Sequence, residues 1–306
     1  MRIALMVVVG LGMSYATTQR SALAVDPWAD HVVSYVQGTG VGNDFVSGNP
    51  INNPLTALGE PTRFTSDPAN FGGPTTPFSS AYRDDEIVTI GAGGSLTLQF
   101  DEPVVDHPLN PFGIDLLVFG NAFYSIDFGT FLATGALDND GGQIEVSANG
   151  VDFFPVTGSA DGGFPTVGYL DVSEPFPLLD GALWSDFTKP VNPAALGSVA
   201  GMSTSQIIAA YDGSGGGLGV DISSSGLASI SFIRFSNPFG SLKTPEIDAV
   251  ADVRAVPEPA TFALLAISSV CVGALAAKGA GAARHSRAAT PDGRSMQHCC
   301  RSGDGV

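Results

Sequence analysis

The chain has 306 residues and carries 30 Asp and Glu against 13 Lys and Arg, a net charge of −17. Between Val25 and Pro259 the imbalance is steeper, 28 acidic residues against six basic ones for a net of −22, which argues against nucleic acid or anionic lipid as a partner. All three cysteines (Cys271, Cys299 and Cys300) follow that region, so it has no disulfide, thiolate metal site or cysteine nucleophile.

The N-terminus reads as an export signal. Arg2 is followed by an apolar run from Ile3 to Ala16 and then by Ala22-Leu23-Ala24, a small-x-small triplet. That order predicts a signal peptide over 1–24 with cleavage after Ala24; an uncleaved N-terminal anchor is the alternative. The 235 residues that follow suffice for a full hydrophobic core. Residues 43–80 are rich in Pro, Asn and Gly and read as a long ordered loop region.

Ser95-Leu96-Thr97-Leu98-Gln99-Phe100 alternates strictly and predicts a half-buried strand with Leu96, Leu98 and Phe100 inward. Ile114 to Phe119 is continuously apolar and reads as a central strand. Gln143 to Ser147 alternates again; Asn149-Gly150 then gives a turn, and Val151 to Val156 a return strand, which together predict a hairpin. Pro193 to Tyr211 holds a short helix around Gln206–Tyr211, capped by Ser203, Thr204 or Ser205. Gly213 to Gly219 is a plain glycine-rich loop, since no Lys follows it to make a phosphate site. The last strands are Ser229 to Phe235 and Ile247 to Val253. Inward positions include Leu117, Phe119, Ile144, Val146, Ile230 and Phe232. Short strands between turns, with no internal repeat or dividing linker, predict one all-β domain over 25–255, an antiparallel β-sandwich of jelly-roll type with long loops.

After that domain come Val256-Pro257-Glu258-Pro259, then Ala260 to Ala277 without a charge, then Lys278, Arg284 and Arg287. Eighteen helical residues span roughly 27 Å, close to the thickness of a hydrocarbon core, so 260–277 reads as one C-terminal transmembrane helix. The basic residues beyond it favour a cytoplasmic end. This arrangement over 256–287 resembles the PEP-CTERM sorting signal of bacterial surface proteins. The resemblance implies processing near Pro257–Pro259 by an exosortase, a membrane protease, after transient anchoring in the inner membrane. It also implies association with exported polysaccharide at the outer surface, in a matrix or biofilm. The chain departs from the family pattern by continuing to Val306, a stretch (288–306) read as a disordered tail.

A second resemblance covers most of 55–253. It is carried by the order of Ala57-Leu58-Gly59-Glu60-Pro61, Val88 to Phe100, Asp115 to Asn121, Glu145 to Phe153, Phe232 to Phe235 and Pro245 to Val250. Together these resemble discoidin-like, galactose-binding-type jelly rolls. In such domains an acidic residue near Glu246 contributes to a structural calcium site, which the resemblance implies for Glu246.

Catalytic patterns are scarce. Only His31 and His107 lie in the domain, and no Gly-x-Ser-x-Gly elbow is present. Carboxylates are abundant enough to allow a polysaccharide-acting enzyme with paired acids. Asp138-Asn139-Asp140-Gly141-Gly142 is either a fragment of a calcium loop or an ordinary Asx turn. Asp115 and Asn121, at the two ends of one predicted strand, are either a further cation site or strand-end hydrogen bonds. Trp28, Tyr82, Tyr124, Tyr169, Trp184 and Tyr211 are the aromatic residues placed to stack on sugars, or else they belong to the core. The expected function is that of an exported, non-catalytic, adhesive matrix protein that binds glycan and calcium. A secreted polysaccharide-acting enzyme and a structural coat subunit are the alternatives.

Overall fold

The computed structural model describes residues 26–67, 72–194 and 196–253. The signal peptide, the sorting residues Ala24, Val256 to Pro259, Arg284 and Arg287, the apolar segment 260–277 and the tail lie outside the described residues. Among the described residues, no helix is long and apolar enough to cross a membrane.

The chain is built from short strands: β1 (His31–Val36), β2 (Phe64–Thr65), β3 (Gly73–Pro74), β4 (Val88–Thr89), β5 (Ser95–Val105), β6 (Leu116–Gly120), β7 (Phe123–Asp127), β8 (Leu132–Asp138), β9 (Gln143–Ser147), β10 (Phe154–Pro155), β11 (Leu218–Val220), β12 (Ser229–Ser236) and β13 (Glu246–Asp252). The single α-helix among the described residues, α1, is Thr204–Ala210. Two antiparallel sheets carry the fold, one in the order β1-β5-β12-β9-β10 and one in the order β11-β6-β13-β4; β2-β3 and β7-β8 are separate hairpins.

Period-2 alternation explains the first sheet. Leu96 and Leu98 of β5 and Ile144 and Val146 of β9 turn inward, where they meet Val88, Leu116, Val118, Ile247 and Val250 of the second sheet in one buried cluster. Each such side chain stabilises the fold by about 1.5–3 kcal/mol through burial. β6 is buried along its whole length. Leu116 and Val118 face the first sheet, while Leu117 and Phe119 pack behind β6 against Phe187, Ala249, Ala251 and Trp28. Loops cover that outer face, so no residue of β6 needs to be polar.

Three strand expectations are corrected. β5 runs to Val105 because β12 continues to pair with it beyond Phe100. The return strand after the Asn149-Gly150 turn is only Phe154–Pro155. Residues 148–153 are a loop tied down by side chains, with Ser147 Oγ accepting from the Gly150 N–H at 2.9 Å and Asn149 Oδ1 accepting from the N–H groups of Val151 and Asp152. Phe232 is half-buried rather than inward. A bulge between Ile230 and Phe232 shifts the phase of β12, so Ile230, Ile233 and Phe235 are the buried positions. The ring of Phe232 lies over Gly150, where a Cβ would come within 3.1 Å of it.

A second buried cluster, with Phe78, Tyr124, Val167, Tyr169, Ile207, Ile208 and Tyr211 among its members, joins the β7-β8 hairpin to α1 and the long loops. Ser203 caps α1, and Gln206 reaches back to the Ser203 N–H at 2.9 Å to complete a capping box.

Candidate metal centre

Three acidic side chains converge where β6, β8 and β13 end or begin. Asp140 follows β8, Asp161 lies in the loop that bridges back onto Gly141, and Glu246 opens β13. Each offers a carboxylate oxygen within 4.8 Å of the other two. Asp161 is 1 % exposed and is held from two sides, accepting from the Asn121 N–H at 3.1 Å on Oδ1 and from the Asp140 N–H at 3.3 Å on Oδ2. Gly120 makes this approach possible, since a Cβ there would lie 2.7 Å from Asp161 Oδ1 and 2.6 Å from the Glu246 carbonyl oxygen.

The electrostatics follow from burial. Desolvation, and then the charges of Asp161 and Asp140, push the Glu246 carboxyl up to about 9. Desolvation and then Asp140 push Asp161 up as well. Lys243 is the nearby cation, 3.6 Å from Asp140 Oδ1, and it also donates to the Asn139 carbonyl. Thr89 pairs with Glu246 across β4 and β13 and is 1 % exposed. Its hydroxyl lies close enough to ease ionisation of Glu246, yet it makes no well-formed hydrogen bond. Carboxylates crowded in this way either retain a proton or close around a cation. The donors here are all hard oxygens, which suit calcium or magnesium rather than a transition metal.

The structure brings two of the sequence-derived residues, Asp140 and Glu246, into this group. Asp138 is the exposed last residue of β8 and lies outside it. Asn121 enters only through its main-chain N–H, and its side-chain amide donates to the Ala81 carbonyl at 3.1 Å. Asp115 sits at the opposite end of β6, where it accepts from the Ile222 N–H at 3.0 Å and from Asn110 Nδ2 at 2.8 Å. Asp161 was not among the residues drawn from the sequence. Its signal was a repeated triplet, Asp-Gly-Gly at 140–142 and again at 161–163.

The two histidines are engaged separately. His31 pairs with Asp101 at 2.8 Å, and His107 Nδ1 accepts from the Leu109 N–H. Tyr124, Tyr169 and Tyr211 belong to the core, whereas Trp184 is 65 % exposed and Trp28 and Tyr82 are half-buried. An apolar pocket of about 480 Å³ lies beside Asn121, with Phe45 stacked on Tyr82 at 5.1 Å and Phe128 stacked on Phe176 at 6.3 Å along its walls. A comparison with protein-family models finds none that matches the chain, and a comparison with curated proteins finds no match.

Proposed function

We propose that the chain is an exported, non-catalytic surface or matrix protein. Its β domain, of jelly-roll type, is braced by calcium and works by adhesion to exopolysaccharide. The observation that carries this reading is the convergence of Asp140, Asp161 and Glu246 in a strongly acidic domain that has no cysteine. A cation there would replace repulsion with coordination and fasten two loops to the start of β13, the part a disulfide plays in other exported domains. The N-terminal export pattern and the likeness of 256–287 to an exosortase-processed sorting signal support placement outside the cell.

Two observations favour binding over catalysis. His31 and His107 are each engaged locally and share no nucleophile. Glu60 and Asp186, which line one cleft, each have one oxygen held, by Arg63 and by Thr188. The test is thermal unfolding of the secreted protein with millimolar calcium and then with a chelator. A reversible upward shift with calcium is expected, and superimposable curves would overturn the bracing role.

A further inference from the structure

The chain has two tryptophans, far apart in sequence, and both line one cleft of about 450 Å³. Trp28 is brought there by a bridge to Ala251 of β13, and Trp184 by a bridge to Tyr169. Between them Arg63 is clamped in place. Its guanidinium lies 4.7 Å from the Trp184 ring centroid and 4.0 Å from that of Phe187. Four of its five N–H donors are engaged, by the Gly168 carbonyl and Ser185 Oγ at 2.8 and 3.1 Å and by Glu60 Oε1 at 2.9 and 2.6 Å. Arg63 thus supports one face of Trp184, and the residue remains 65 % exposed.

What the cleft still offers is mostly acceptors. Glu60 uses Oε1 on Arg63, and Asp186 uses Oδ1 on the Thr188 N–H and hydroxyl at 2.8 and 2.7 Å. The second oxygen of each carboxylate has no hydrogen bond among the described residues. An indole face beside carboxylate acceptors fits a ligand with an apolar ring face and a rim of hydroxyl donors. Charge narrows the class further. Arg63 balances Glu60, and Asp186 with the net −22 of the domain opposes an anion.

We propose that the cleft between Trp28 and Trp184 binds an uncharged hexopyranose glycan. One sugar ring stacks on the exposed face of Trp184, and the sugar hydroxyls donate to Glu60 and Asp186. This deepens the adhesive reading and rests on it, but it does not depend on the metal centre.

Because both tryptophans lie in the cleft, intrinsic fluorescence of the full chain reports on this site. The probes are neutral gluco-, manno- and galacto-oligosaccharides, with oligogalacturonate and oligolysine as charged counterparts. At least one neutral series should change the emission saturably. Trp184→Ala should weaken that binding by about tenfold or more, the scale of losing a central aromatic contact, and should leave the melting temperature essentially unchanged because the side chain is exposed. Trp184→Phe keeps a ring face and should lose less. Unchanged emission with every neutral series, a preference for either charged probe, equal affinity in Trp184→Ala, or cleavage of the bound oligosaccharide would each overturn the proposal. The fluorescence assay is repeated in chelator. Sugar binding that persists without any calcium shift in melting would refute the bracing role alone, and a calcium shift without sugar binding would refute the cleft alone.

Discussion

The main-chain N–H of Asn121 donates to Asp161 Oδ1 at 3.1 Å, so the most buried acid of the cluster is tied to the end of β6 and not only to its own loop. β6 lies between β11 and β13 in the middle of its sheet. Whatever occupies the carboxylate group therefore acts directly on the core.

The first prediction concerns pH. The Glu246 carboxyl is pushed from its ordinary 4.5 up to about 9, so between those values the folded state holds a proton that the unfolded chain has released. Stability must then fall as pH rises through that window, and it is fully present below 4.5. Asp248, fully buried and pushed up to about 7, adds in the same direction. In chelator, the melting temperature should drop between pH 5 and pH 9, and Glu246→Gln should flatten part of the drop. Calcium competes with the proton, so its stabilisation should be larger at pH 8 than at pH 5. A melting temperature that rises with pH in chelator would contradict this assignment.

The second concerns which acids matter. At 100 times its dissociation constant, a cation bound only by the folded state contributes about 2.7 kcal/mol, roughly 5–10 °C for a domain of this size. Asp161→Asn and Glu246→Gln should each remove most of that shift, whereas Asp138→Asn should leave it intact. Differential scanning fluorimetry with and without calcium separates these outcomes.

A third prediction tests the organisation of the Pro-rich region. Asp44 has a fully buried side chain, and Arg83 Nε donates to its Oδ2 at 2.7 Å. Burial opposes ionisation of Asp44, but hydrogen bonds from Asp84, Arg83 and the Val46 N–H outweigh it and hold the carboxyl far below the usual range. Arg83→Met would leave that charge buried and unpaired, and should cost about 3–5 kcal/mol in denaturant unfolding. A loss under about 1 kcal/mol would mean that the pair is dispensable.

A fourth follows from the C-terminal pattern. If 256–287 is processed as its resemblance implies, intact mass of the secreted protein should place its C-terminus near Pro257–Pro259. Recovery outside the cell of chains reaching Val306 would refute processing.

Much of the sheet structure was legible because burial on one face imposes a period of two: Leu96, Leu98, Ile144 and Val146 all turn inward as that alternation requires. Phe232 was misplaced because strict alternation was carried on from Ile230, whereas the adjacent pair Phe232-Ile233 breaks that alternation where the bulge lies. The β7-β8 hairpin was missed because its strands lie largely outside the main core, and Leu132 to Asp138 shows no clean alternation. In the carboxylate group, Asp140 was visible through turn chemistry, and Glu246 only through what the jelly-roll resemblance implies. Asp161 was not, because the repeated Asp-Gly-Gly triplet does not by itself say that its loop folds back onto Gly141.

The bridge between Trp28 and Ala251, reinforced by the Asp252 N–H donating to the Pro27 carbonyl at 2.7 Å, brings the first and last described residues of the domain together. Tension entering from beyond Val253 would reach β13 first, and near that end β13 is held by β6 on one side and by the Trp28 bridge on the other, while β4 pairs only with Glu246 and Ile247. Near that end the strand has no free edge, so contacts on both of its flanks would have to break before it could leave the sheet. The domain is thus fastened at the point where a pull from its C-terminal side would enter, and its mechanical resistance would come from the interior of a sheet rather than from a covalent staple.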